Sequence, residues 1–178
     1  MKKFELTAEF VTNIFGKKLF RIKALVAFGD VEKGELGGFI EKEDNLSHLG
    51  DAWVSGNAWV YGDALVSGDA RVSDDALVSG NARVSGNALV SGDALVSGNA
   101  DYAVVTGFGR FFRTTTFFRC KDKILRVQCG YFYGDLAQFR EIVKKTHGNS
   151  KYAKEYLAIA DLMELHFSDE EENQEADE

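Results

Sequence analysis

Leu49-Gly50-Asp51-Ala52-Trp53-Val54-Ser55-Gly56-Asn57-Ala58-Trp59-Val60-Tyr61-Gly62-Asp63-Ala64-Leu65-Val66 opens a run that continues to Tyr102, in which the frame Val-Ser-Gly-Asp/Asn-Ala-x returns every six residues. Val54, Val60, Val66, Val72, Val78, Val84, Val90 and Val96 keep one phase, and the alanines from Ala52 to Ala100 keep another. Each Ala-x-Val triplet reads as a short strand with Ala and Val on one face and x on the other. Gly-Asp or Gly-Asn supplies the turn, since both tolerate positive φ. The x series is Trp53, Trp59, Leu65, Arg71, Leu77, Arg83, Leu89, Leu95 and Asp101. If x faced inward, three charges would be buried unpaired, each costing several kcal/mol, so Ala and Val form the core.

Hexads used as sides close after three, which predicts 18-residue coils and a three-coil stack roughly 14 Å tall at about 4.8 Å per coil. The chain has 178 residues and no proline, where average usage of about 5% would give about nine. Strands that donate to the next coil exclude it. This frame resembles the hexapeptide-repeat family, and the resemblance implies a mainly β fold built on a left-handed parallel β-helix. Upstream, Gly34-Glu35-Leu36-Gly37-Gly38-Phe39-Ile40-Glu41 and Asn45-Leu46-Ser47 resemble the lead-in of a subfamily found in enterobacteria and bacterial prophages. Its members are often labelled acetyltransferases or polymer-forming proteins. The resemblance covers about residues 30–105, and similar prophage proteins also carry the Cys120 to Phe167 region.

The predicted organisation is an N-terminal β cap and lead-in over 1–47, the β-helix over 48–105, a small α+β domain over 106–167 and a disordered acidic tail over 168–178. In the cap, Phe4 to Phe28 alternates as strands around an Asn13 to Lys17 turn. The small domain reads as a hairpin, Thr114–Cys120 with Ile124–Tyr131, and two helices. Asp135 with Gln138 three residues on caps the first helix, and Asn149 or Ser150 starts the second. No apolar run approaches the roughly 18–20 residues of a membrane span, and Met1-Lys2-Lys3 runs into Glu5 and Glu9 rather than a leader. The expectation is a cytoplasmic protein of a bacterial host cell with no membrane partner.

The formal charge of -7 is unevenly placed. Ser168 to Glu178 holds seven acids and no base, leaving 21 acids against 21 bases in residues 1–167. Residues 49–105 carry a net of -5, and residues 106–134 a net of +5. That second stretch interleaves Arg110, Arg113, Arg119, Lys121, Lys123 and Arg126 with Phe111, Phe117, Tyr131 and Tyr133. Cations attract phosphate and aromatics stack bases, so one reading is a surface for a nucleotide-like ligand or single-stranded nucleic acid. The other makes the aromatics the core of the small domain and the cations its solvated face. The tail could fold back on these cations or simply keep the chain soluble.

Stacking at 18 residues puts Trp59, Leu77 and Leu95 in the one wholly apolar outward row. Such a strip marks either a self-association surface, which in the resembled family builds trimers, or a face covered by the C-terminal segment. The turn rows, such as Asp51 over Asp69, suit solvated ladders better than a calcium site, which needs 6–8 converging oxygens. No phosphate loop, dinucleotide fingerprint, paired-cysteine zinc spacing or nucleophile elbow is present. No metal or cofactor is expected. Cys120 and Cys129 are expected as reduced thiols, with Cys129 opposite about Thr116 in the hairpin. Related acyltransferases use a histidine base; here His48 is the best placed of His48, His147 and His166. The leading expectation is therefore a non-enzymatic binding or scaffolding module of phage or prophage type. It would be a homotrimer presenting its small domain to a host protein or nucleotide-like ligand, with interference in host defence as one use. A coenzyme A-dependent acyltransferase and a structural polymer-forming element are the alternatives.

Overall fold

The computed structural model describes residues 1–168; from Asp169 on, the acidic tail read from the sequence lies outside the described residues. In chain order the strands are β1 (Phe4–Thr12), β2 (Lys18–Ala24) and β3 (Leu36–Ile40), followed by eight two-residue strands. These are β4 (Trp53–Val54), β5 (Trp59–Val60), β6 (Leu65–Val66), β7 (Arg71–Val72), β8 (Leu77–Val78), β9 (Arg83–Val84), β10 (Leu89–Val90) and β11 (Leu95–Val96). Then come β12 (Tyr102–Val105), β13 (Thr115–Arg119), β14 (Leu125–Cys129), β15 (Phe132–Asp135), α1 (Leu136–His147) and α2 (Lys151–His166).

The hexad frame folds as a three-turn β-solenoid. Parallel pairing joins β4, β7 and β10 on one side, β5, β8 and β11 on the second, and β6 with β9 on the third. Partners are 18 apart throughout, Trp53↔Arg71↔Leu89 and Trp59↔Leu77↔Leu95 among them. The backbone of each coil donates to the next, as in Trp53 N to Ala70 O at 3.0 Å and Arg71 N to Ala88 O at 2.8 Å. Every inward Val from Val54 to Val96 and every Ala from Ala52 to Ala94 is buried. Ala100 departs from the pattern and is exposed, because Asn99–Asp101 forms a 3-10 turn in place of the ninth strand.

Two sides continue below the first coil. β3 pairs in parallel with β5, Phe39↔Trp59 and Ile40↔Val60, and Leu46 bridges Val66. Here the offset is 20 residues, so the lead-in is stacked like a coil but lies outside the hexad phase. β2 pairs with β3 and β1 with β2, both antiparallel, making one six-stranded sheet from the N-terminal hairpin to β11.

A first coil with nothing complete beneath it exposes carbonyls at its corners, and an unpaired buried carbonyl costs about 1–3 kcal/mol. Side chains fill those places. Asn45, fully buried, gives its amide to Gly62 O at 3.1 Å and Ala64 O at 2.8 Å. Lys3, only 4% exposed, gives its ammonium to Gly50 O at 3.1 Å and Ala52 O at 2.9 Å and lies 4.5 Å from the centre of the Phe28 ring. Burial pushes the Lys3 pKa down to about 8, assisted by Arg71 and opposed by Asp51 and Asp69. Phe28 in turn covers Trp53, which points out of the prism yet is 2% exposed. The outward row of the first side is therefore closed at its base.

At the other end the small domain caps the third coil. Thr116 Oγ1 accepts from Leu89 N at 3.0 Å, Ala94 bridges Cys120, and Lys121 N donates to Asp93 O at 3.0 Å. The expected two-stranded hairpin is a four-stranded antiparallel sheet, β12-β13-β14-β15. Two features account for the difference. Tyr102–Val105 leaves the repeat and pairs with β13, and Gly130 at φ 59 turns the chain after Cys129 so that β15 can return. Cys129 faces Thr115, one residue from the register expected from sequence. Both thiols are free, Cys120 buried and Cys129 half-buried. Asp135 caps α1, accepting from Gln138 N, and Ser150 caps α2. The helices bury Phe139, Val143, Tyr156, Ile159 and Met163 against Phe117 and Val127.

Candidate functional site

The aromatic and basic residues singled out between Arg110 and Tyr133 do not form one surface. β13 is five residues long and spans about 17 Å at ~3.4 Å per residue, which puts Arg113 beyond one end and Lys121 beyond the other. At the Lys121 end the cations are engaged. Arg126 pairs with Asp122 at 2.7 Å, Arg119 lies 3.6 Å from Asp101, and Lys121 Nζ donates to Asp75 O at 2.8 Å. Asp122 is held below the usual carboxylate range, first by the Ile124 N–H and then by Arg126. Lys123 is exposed in the turn at φ 65.

Two of the expected ligand aromatics have structural places instead. Phe117 is fully buried and meets Phe139 edge-on, because alternation along β13 turns it toward the helices. Tyr133 reaches across to the third coil, where its hydroxyl meets the Asp93 backbone and the Cys120 thiol. Burial, with Cys120, pushes its pKa up.

Arg110, Phe111, Arg113 and Tyr131 do come together. They frame a cavity of about 230 Å³ whose floor is Phe132, Phe139, Ile142, Val143 and Tyr156, with Cys129, Thr146 and His147 completing it. The loop 106–114 passes so close to α2 that a Cβ on Gly109, which sits at φ 73, would lie 2.1 Å from Tyr156 Oη. Gly109 N donates to Glu155 Oε2 at 2.9 Å. Phe112 sits at φ 53, a conformation costly for a bulky residue, and is 71% exposed. Both guanidinium groups lie over Phe111, at 5.1 Å for Arg113 and 5.6 Å for Arg110. The polar atoms deep in the cavity are already used. Thr115 Oγ1 donates to Cys129 Sγ at 3.2 Å, and burial with the Cys129 neighbour pushes Tyr156 up to about 12.

The helical half of this cavity was not singled out from sequence. Phe139, Val143 and Tyr156 read as core and are core; the cavity is the part of that core the loop leaves uncovered. Gly107-Phe108-Gly109 was the available signal, since it marks where backbone must pass a large side chain.

On the solenoid, Trp59, Leu77 and Leu95 form the expected row, Trp59 and Leu77 half-buried and Leu95 exposed. A shallow groove there is edged by Asn57, Asp75, Asp93 and Lys121. The small domain reaches its rim through Lys121 without covering it. The turn rows are hydrogen-bonded ladders, Asp51 N to Asp69 Oδ1 at 3.2 Å and Asn57 Nδ2 to Asp75 Oδ1 at 3.3 Å. Among the described residues no group of three or more His, Cys, Asp or Glu is placed to hold a metal. His48 is pinned. Its Nδ1 accepts from Lys3 N at 3.1 Å, its Nε2 lies 2.7 Å from Glu43 Oε1, and its ring stacks on Phe4. Both ring nitrogens have partners within the protein.

The model of the YdcK β-solenoid repeat matches three times in succession, over residues 58–74, 70–86 and 82–98. Over these residues the chain is a β-solenoid repeat. A search of curated proteins finds no match to it. The matched residues all lie within the coils of the solenoid protein, so the likeness concerns the stack and not the cavity beside Phe111. Among the described residues no helix is long and apolar enough to cross a membrane.

Proposed function

We propose that the solenoid protein is a non-enzymatic binding or scaffolding module of phage or prophage type. In this reading it is a homotrimer joined along Trp59, Leu77 and Leu95, and it presents its small domain to a host protein or nucleotide-like ligand in the bacterial cytoplasm. The observation that carries the reading is the loop 106–114. It holds Phe108, Phe111 and Phe112 exposed beside an open apolar cavity, on the domain that caps the solenoid at the end away from the N-terminal hairpin. Exposed aromatics grouped with arginine around a pocket are the composition of binding hot spots. The apolar row supports the trimer, since an uncovered strip of this kind marks a contact surface. The resemblance of the lead-in to prophage proteins supports the origin.

Two measurements test this. Tagged protein recovered from a bacterial lysate, with mass spectrometry of retained protein and small molecules, should yield a ligand or partner lost on Phe111→Ala with Phe112→Ala. Light scattering should give a mass of three chains that falls to one on Leu77→Glu with Leu95→Glu. An unchanged mass would remove the strip as the interface.

A further inference from the structure

The cavity beside Phe111 has features that select among ligands. Its volume, about 230 Å³, is below the roughly 300–1,000 Å³ of small-molecule sites and suits one large side chain. Its floor is apolar, and its inner polar atoms, Cys129 Sγ and Tyr156 Oη, are already engaged with neighbours. A nucleobase seated on the floor of Phe132, Phe139 and Val143 would set polar groups of its edge against hydrocarbon, beyond what Thr146 and His147 can pair, which is costly. An aliphatic or phenyl group would not. Of the lining residues, Phe111 is 64% and Tyr131 fully exposed, and Phe112 next to Phe111 in the loop is 71% exposed.

The two charged side chains in the lining, Arg110 and Arg113, are both cations. The helix ends nearby carry Lys144, Lys145, Lys151 and Lys154, with Glu141 and Glu155 as the acids closest to them in sequence. The nearest acid on α2, Glu155, is occupied by Gly109 N and lies 3.7 Å from Lys151.

We infer that this cavity takes a single apolar side chain from an acidic segment of a protein partner, with the flanking carboxylates of that segment meeting Arg110 and Arg113. An anchor seated in a pocket and surrounded by aromatics and arginines concentrates binding energy at a few residues, while the cationic rim sets orientation and association rate. The inference rests on the binding-module reading and names the chemistry of its partner.

The test is selection of a phage-displayed library of random dodecapeptides on the full chain. Recovered sequences should carry one Phe, Leu, Ile, Met or Trp flanked by several Asp or Glu. A fluorescein-labelled synthetic copy should lose at least tenfold in affinity, read by anisotropy, when its anchor is changed to Ala. The same loss should follow Arg110→Glu with Arg113→Glu, and Thr146→Trp, which fills the mouth. All of these positions are exposed, and circular dichroism with thermal melting verifies each fold. A dodecamer of deoxythymidine should not displace the peptide. Recovery of neutral or basic sequences, no enrichment over empty support, equal binding to Thr146→Trp, or displacement by the oligonucleotide each overturns the inference. A natural partner from lysate that binds wild type and Thr146→Trp equally would leave the module standing and remove the cavity as its site.

Discussion

The Lys3 ammonium makes the stability of the N-terminal end depend on pH in a direction opposite to that of most paired lysines. Its pKa falls from 10.5 in the open chain to about 8 in the fold, with burial the largest cause. Between these values the unfolded chain holds more protons than the folded one, so stability rises with pH across that window. Below pH 8 both states are protonated and the fold carries the full cost of the buried charge. From the two pKa values the relief between pH 7 and pH 9.5 is about 2 kcal/mol, at about 1.4 kcal/mol per unit. Lys3→Met removes the titration and strands the carbonyls of Gly50 and Ala52. Urea unfolding of both proteins at pH 7.0, 8.0, 9.0 and 9.5 isolates the effect, because every other titration is shared and cancels in the difference. The stability of wild type relative to the variant should grow by about 2 kcal/mol over this range. A difference that stays flat, or that shrinks as pH rises, would refute the account of Lys3 as a buried ammonium closing the first coil.

Two glycines supply further tests. Gly80 sits at φ 61 and a Cβ there would lie 2.2 Å from Ser97 O in the next coil; Gly80→Ala should cost about 2 kcal/mol or more, read as a lowered urea midpoint with unchanged slope. Gly109→Ala should displace Tyr156 and the loop, lowering stability by a similar ~2 kcal/mol and raising the protease sensitivity of residues 106–114 while the solenoid keeps its strand signal in circular dichroism.

How much was legible depended on whether the same residues also specified their neighbours. The coils were readable as far as Val96 because Ala, Val and Gly-Asp/Asn set strand, face and turn within each hexad, and stacking at 18 residues followed from closure alone; the ninth hexad keeps the pattern but turns at Asn99–Asp101. The cap was readable only as strands. That Phe39 stacks under Trp59 depends on a 20-residue offset that no repeat announces, and Lys3 and Asn45 act across 47 and 17 residues or more. In the small domain the caps Asp135 and Ser150 were local and legible. The strand β12 was hidden because Tyr102 to Val105 reads equally as the end of a repeat or the start of a sheet. The cations from Arg110 to Arg126 looked like one cluster because they are close in sequence, but an intervening strand carries its two ends apart. The apolar row of Trp59, Leu77 and Leu95 was legible for the opposite reason: its members are far apart in sequence and stacked by the period.

At both ends of the stack side chains complete what backbone pairing leaves open, Lys3 and Asn45 beside β3 below and Thr116 beside the Lys121 N–H above. Each coil meets the next through backbone bonds that do not depend on which x residue it carries. The number of coils is therefore a free parameter of the architecture. An 18-residue insertion in phase with Val72 would lift the cavity about 4.8 Å away from the N-terminal hairpin and keep every outward row aligned. The repeat thus acts as a graduated spacer whose length can be reset one coil at a time, with neither closure rebuilt.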